Sequence, residues 1–141
     1  GQPPPQPEPV VEKEEQKEIP QSGFGRFEYI NGTLYVGNWK LLQGVKVKHG
    51  QGKITFAGTT SHEFGNEEYE GDWEDDLMHG YGVYKFTSGA VYHGQWARGR
   101  MCGQGSMQYA DGSKYVGEWF DNTMHGEGIY TDPDGTPWEG I

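Results

Sequence analysis

A single cysteine, Cys102, excludes an internal disulfide and fits a reducing compartment. No run approaches the roughly 20 apolar residues that a membrane-spanning helix needs. No signal-peptide pattern opens the sequence as read. Basic residues are scarce: 11 Lys and Arg stand against 21 Asp and Glu, for a net charge of −10. That balance argues against nucleic acid, whose backbone is met by clustered Lys and Arg. It equally disfavours broad attraction to anionic membrane lipid. Hydrophobic residues make up only 33% of the 141 residues, too little for a thick core. Proline is nearly confined to the start, with six of eight in the first 20 residues.

What is present instead is glycine, 24 residues of it, and aromatic residues at 14%. They recur with a fixed period. Tyr69-Glu70-Gly71-Asp72-Trp73 returns 23 residues later as Tyr92-His93-Gly94-Gln95-Trp96, and again as Tyr115-Val116-Gly117-Glu118-Trp119. A further copy opens at Trp138-Glu139-Gly140, so a natural chain that continues past Ile141 is expected. A Gly-x-Gly follows each Trp after seven residues: Gly80/Gly82, Gly103/Gly105 and Gly126/Gly128. A turn dipeptide then precedes the next unit: Ser88-Gly89, Asp111-Gly112 and Asp134-Gly135. The frame reaches back through Gly23/Gly25, Asn31-Gly32 and Tyr35-Val36-Gly37-Asn38-Trp39. One unit is stretched. Trp39 to Gly50 is 11 residues instead of seven, and Gly52 to Tyr69 is 17 instead of 10. Insertions of this kind, at 40–48 and 57–66, are expected in loops between strands that keep their register.

A fixed period of this size means stacked supersecondary units that bury apolar faces against their neighbours. Within a unit the alternation has period two. Tyr115, Gly117 and Trp119 share one face, Val116 and Glu118 the other. Phe120 to Met124 is expected as a turn and Gly126–Tyr130 as the return strand. The repeated columns Tyr35, Trp39, Tyr69, Trp73, Tyr92, Trp96, Tyr115, Trp119, Gly82, Gly105 and Gly128 are architectural. Recognition is then expected at the non-repeating positions.

These columns resemble the MORN repeat family (membrane occupation and recognition nexus), over Gly23 to Ile141. The resemblance implies an all-β fold: an elongated single layer of antiparallel β-hairpins, about four to five units over 23–141, the last truncated. Residues 1–22 form a separate Pro- and Glu-rich segment, with Glu8, Glu12, Glu14, Glu15 and Glu18, expected as a disordered tail. The resemblance further implies a non-enzymatic scaffold. Its nearest likeness in character is to radial-spoke-type components of cilia and flagella, which places the protein inside the cell on an axoneme or cytoskeleton. The partners expected are other proteins of such an assembly, with homo-association through strand edges. Two alternatives stand beside this reading. One is a phosphoinositide-binding adaptor using Lys40, Lys46, Lys48 and Lys53. The other is a regulatory module of a larger enzyme.

No constellation of residues reads as a site for a cofactor, a metal or catalysis. His49, His79 and His125 precede the first Gly of three units and Cys102 fills that slot in a fourth. One ligand per 23 residues along an extended array cannot converge on one ion, so a turn-edge hydrogen bond is the expected role. Asn31-Gly32-Thr33 has the form of a glycosylation sequon but occupies a turn column. The Gly-x-Gly elements recur in every unit and open no helix, so they are not phosphate loops. Two segments stand out as candidate partner-binding residues. The first is the apolar set Leu41, Leu42, Val45 and Val47 in the first insertion. The second is the acidic set Glu67, Glu68, Glu70 and Asp72, which with the neighbouring lysines makes a bipolar patch.

Overall fold

The computed structural model describes residues 2–4, 20–58 and 64–140. Most of the Pro- and Glu-rich segment lies outside them, as does part of the second insertion. Ten strands follow in chain order: β1 (Ser22–Glu28), β2 (Leu34–Leu42), β3 (Val45–Thr55), β4 (Glu68–Glu74), β5 (Leu77–Lys85), β6 (Val91–Ala97), β7 (Arg100–Gln108), β8 (Lys114–Phe120), β9 (Thr123–Thr131) and β10 (Pro137–Gly140). Each pairs antiparallel with the next, and spatial order equals chain order from β1 to β10. Among the described residues there is no helix. The fold is the single-layer hairpin array that the repeats imply.

Two kinds of turn alternate. Within a hairpin the reversal takes two residues, both at positive φ: Gln43-Gly44, Asp75-Asp76, Arg98-Gly99 and Asp121-Asn122. That is the mirror-image turn whose twist matches paired strands, and Asp and Asn tolerate it better than most residues. The turn expected over Phe120–Met124 is therefore only Asp121-Asn122, and both flanks are strand. Between units the reversal is wider. Phe86 N–H donates to Ala90 O and Gly89 N–H to Phe86 O, and the same pair of bonds recurs at Tyr29–Thr33, Tyr109–Ser113 and Asp132–Thr136. Ser88, Asp111 and Asp134 each accept the N–H two residues on. Asn31 does likewise, its Oδ1 accepting from Thr33 N–H at 2.9 Å, so its side chain holds the turn.

The first insertion is not a loop. β2 and β3 run on past Trp39↔Lys48 through Lys40↔Val47, Leu41↔Lys46 and Leu42↔Val45. The other hairpins turn one pair beyond Trp, as at Trp73↔Met78 and Glu74↔Leu77. Four extra residues thus make two extra ladder pairs, because an even insertion split across a hairpin preserves facing. They lengthen this hairpin by about 7 Å.

One face of the sheet holds the core. Tyr35, Tyr69 and Tyr92 are wholly buried, with Trp73, Trp96 and Trp119 nearly so. A single layer covers these rings because they cover one another. Tyr69 meets Trp73 of its own strand at 5.1 Å and Trp96 of the next unit at 5.2 Å, both edge-on. Tyr92 repeats the pattern with Trp96 and Trp119. Edge-to-face geometry is the arrangement the ring quadrupole favours. The polar tips are satisfied locally. Trp73, Trp96 and Trp119 donate their indole N–H to the carbonyls of Gly52, Gly82 and Gly105. Each Tyr hydroxyl donates to the carbonyl three residues on, Tyr69 to Asp72 O at 2.8 Å. Burial raises the tyrosine hydroxyls, Tyr35 to about 12.

The glycine columns make this packing possible. Gly82 faces Gly71 across the hairpin. A Cβ on Gly82 would fall inside the Tyr69 ring, and one on Gly71 would strike the Gly82 backbone. The ring of each unit therefore lies directly on the backbone of its return strand.

Candidate functional site

The face opposite the rings carries the non-repeating positions in straight cross-strand rows. One row runs Arg26, Val36, Lys53, Glu70, Val83, His93, Ser106, Val116, Ile129 and Glu139, one residue from each of the ten strands. The row is chemically mixed, so no single charge or apolar stripe dominates it.

The next row carries a second architectural column that sequence variation hides. Each register shift at Gly71/Trp73, Gly94/Trp96 and Gly117/Trp119 leaves a return-strand N–H off the ladder. Asp72 accepts from Tyr81 N–H at 2.9 Å, Gln95 from Gln104 N–H at 2.7 Å and Glu118 from Glu127 N–H at 3.1 Å. Asn38 occupies the same column. These residues look unrelated in the alphabet, yet all four carry a side-chain oxygen. That shared acceptor is the signal by which the sequence marks them. Asp72 also accepts a hydrogen bond from the Gln51 side chain.

Other charged residues are similarly engaged within the chain. The Tyr84 hydroxyl donates to Glu67 at 2.5 Å, and Thr87 bonds the same carboxylate. Glu68 lies between Lys53 at 3.4 Å and Lys85 at 3.1 Å. Burial pushes its pKa up, but the two lysines prevail and hold it below the usual range. Of the four acidic candidates, Glu70 alone makes no hydrogen bond or ion pair among the described residues. Lys40 pairs with Asp75 at 2.6 Å. Lys48 pairs with Asp76 at 2.8 Å and reaches the Tyr29 hydroxyl at 3.1 Å. Lys46 instead lies over the Trp39 ring, 4.3 Å from its centroid.

Lys48 has a particular place. It stands opposite Trp39 where Met78, Met101 and Met124 stand opposite the later tryptophans. The four-residue stretch hides that correspondence from the sequence. Its backbone carbonyl accepts from Asp76 N–H, as Met78 accepts from Gly99 and Met101 from Asn122. Each hairpin tip is tied in this way to the hairpin before it. The histidine slot serves the same seam: His49 Nδ1 accepts from Asp75 N–H and His79 Nδ1 from Arg98 N–H. Among the described residues no group of His, Cys, Asp or Glu is placed to hold a metal.

The overhang of the β2–β3 hairpin is also uncommitted, as are the exposed side chains of Phe24 and Ile30. Its register puts Leu42, Val45 and Val47 on the outer face and Leu41 on the ring face. Val45 is 62% exposed and Leu42 42%. The four apolar candidates therefore split three to one, and the larger share forms a small apolar patch at a projecting tip. No helix among the described residues is long and apolar enough to cross a membrane.

The MORN repeat model matches residues 46–60, 69–91, 92–114 and 115–136. The register carries the same columns back through Tyr35, Gly37 and Trp39. Comparison with curated proteins gives no match. MORN arrays are repeat-based interaction modules and generally not enzymes. With more than half its length matched and every column placed in one hairpin ladder, this chain belongs to the MORN repeat family.

Proposed function

We propose that the protein is a non-enzymatic scaffold that holds other proteins of a cytoskeletal assembly, an axonemal complex of radial-spoke type being the specific case. The observation that carries it is the division of labour among side chains. Rings, glycines, the acceptor column and most charged residues are spent on the array, while the overhanging hairpin presents Leu42 and Val45 to solvent, with Val47 half-buried on the same face. Exposed apolar residues at a projecting tip are suited to docking a protein. Glu70 adds an uncommitted carboxylate farther along the same outer face. The axonemal assignment draws on the likeness in character of repeats beside an acidic flank. The adaptor alternative is weaker for a physical reason: Lys40, Lys48 and Lys53 are each neutralised by a carboxylate, leaving Lys46 for a lipid phosphate.

The test is extraction of the tagged protein from ciliated cells with detergent. Retention with the axoneme is expected. A variant lacking Leu41, Leu42, Val45 and Lys46 keeps Gln43-Gly44 as the turn and restores the ordinary hairpin length, so its fold should persist. Its release into the soluble fraction is the expected result. Membrane-fraction release of the wild type would overturn the scaffold reading, and full retention of the shortened variant would overturn the hairpin's part in it.

A further inference from the structure

The turn between β1 and β2 carries a reactive pair, Asn31-Gly32. Asn31 is exposed, and of the four asparagines it alone precedes glycine; Asn38, Asn66 and Asn122 precede Trp39, Glu67 and Thr123. A glycine, with no Cβ, lets its own backbone nitrogen approach the preceding side chain closely. A carboxamide so placed is open to attack by that nitrogen. The step uses only the chain and water. The Gly32 nitrogen gives its proton to water and bonds to Asn31 Cγ, and the side-chain nitrogen leaves as ammonia. The product is a cyclic imide, a succinimide. Water then opens the ring in one of two ways. Cleavage of the new bond, from Cγ to the Gly32 nitrogen, gives an ordinary aspartate at 31. Cleavage at the backbone carbonyl gives isoaspartate, whose chain runs on through Cβ and Cγ.

We propose that Asn31 is a deamidation site that the closed turn holds in check and that opening of the β1–β2 connection releases. Both reacting groups are tied in the closed form. Gly32 N–H donates to Tyr29 O at 2.8 Å, which keeps the proton on the nucleophile. Asn31 Oδ1 accepts from Thr33 N–H at 2.9 Å, which directs the carboxamide at Thr33 rather than at the Gly32 nitrogen. A further bond from Tyr29 N–H to Thr33 O, also at 2.8 Å, closes the turn. Thr33 is buried, and its Oγ1 accepts from Ala57 N–H at 3.1 Å, so the turn is anchored to the segment after β3. Reaction therefore requires a local opening that breaks these bonds, and its rate is scaled down by the population of the open form.

The equivalent positions in the later turns are Ser88, Asp111 and Asp134. Ser88 has no side-chain carbonyl to attack. Asp111 and Asp134 also precede glycine, but an ionised carboxylate resists a nucleophile. Hydrogen bonds from Ser113 and Thr136 hold both carboxyls below the usual range, so they stay ionised. An amide does not ionise and has no such shield. The same column shows what the two products do. Asp111 and Asp134 accept the N–H two residues on as Asn31 does, so an aspartate at 31 refits the turn. Isoaspartate adds a methylene to the backbone between Ile30 and Gly32 and leaves its carboxylate on Cα. Tyr29 and Thr33 then fall out of register, and Thr33 loses its bond with Ala57.

The test ages the full chain in mildly alkaline buffer, folded and in guanidinium chloride, and maps it by mass spectrometry with fragmentation that separates isoaspartate from aspartate. In denaturant, Asn31 should convert ahead of Asn38, Asn66 and Asn122. In buffer the same conversion should be at least about tenfold slower. Thr33→Ala, which removes the tie to Ala57, should speed conversion in buffer about threefold or more and leave the rate in denaturant unchanged. After refolding, the aspartyl form should melt with the Asn31→Asp variant, close to wild type, and the isoaspartyl form should melt lower. Melts of Thr33→Ala before ageing verify its fold. Equal rates in buffer and denaturant, another asparagine converting first, no response to Thr33→Ala, or an isoaspartyl form that melts like Asn31→Asp would overturn the proposal.

Discussion

Replacing Trp96 by Ala tests the interlocked core most directly. The side chain is 4% exposed, lies edge-on to Tyr69 at 5.2 Å and Tyr92 at 5.3 Å, and rests beside Tyr84 at 5.8 Å. Its indole N–H donates to Gly82 O. Truncating a buried Trp costs about 3–5 kcal/mol in transfer and cavity terms. Each lost aromatic pair contributes about 0.5–1.5 kcal/mol within or beyond that figure. Because Trp96 bridges two units, the loss falls on an interface, and nearest-neighbour arrays then melt in separate steps. Urea unfolding followed by circular dichroism should show a midpoint lowered by that amount and a broadened, two-phase transition. Trp138→Ala, at a 59% exposed edge, is the control and should cost less than about 1 kcal/mol. A Trp96→Ala protein that melts like wild type in one transition would refute the bridging role.

Gly82→Ala should be as damaging as a core truncation, at roughly 3 kcal/mol, because its methyl group meets the Tyr69 ring. Gly112→Ala, where a Cβ meets nothing within 4 Å, should show only the cost of φ +92°, about 1 kcal/mol; equal melting temperatures for the two would contradict the ring-on-backbone packing. Lys48→Met restores the residue type of its column and should stay within about 1 kcal/mol of wild type, whereas Lys48→Ala should lose about 2 kcal/mol or more in chemical denaturation. Equal losses would undo the correspondence with Met78. Two pH limits follow from linkage. Asp76 is raised by burial but lowered further by Lys48, and Glu68 by Lys85 and Lys53, so both fall below the 3.8 and 4.5 of free side chains. Their stabilisation is present above those values and is lost as pH falls through the folded ones. Tyr69, Tyr84 and Tyr92 are raised above 10.0 by burial, so their contribution is present below pH 10 and is lost above it. Denaturation midpoints from pH 2.5 to 11 should trace a plateau with both limbs, and a flat acid limb would remove the ion pairs from the account.

The repeat was legible because its columns are stereochemically exclusive. Only Gly admits the Tyr69 ring onto Gly82, and only a large aromatic spans the gap from Trp96 to Tyr69, so the same letters must return. The acceptor column was hidden because the requirement there is a side-chain oxygen, which Asn38, Asp72, Gln95 and Glu118 meet with four different residues. Lys48 was hidden by phase: the lengthened hairpin shifts it four places away from where the period puts it. Apolar residues in a lengthened segment read as loop-borne until pairing shows that two-residue alternation runs through Leu41 and Leu42 to Val45. The acidic set looked free because sequence does not show that Lys53 and Lys85 flank Glu68 from two neighbouring strands.

The strict agreement between chain order and spatial order makes this protein a graduated rod. Removing or duplicating one 23-residue period changes the length by two strand spacings, about 9.6 Å, and rotates one end against the other by about 45°. Distance and azimuth between the projecting hairpin and the far edge can therefore change only in coupled, discrete steps. Gain or loss of a repeat therefore re-aims a surface at one end relative to the other as well as moving it.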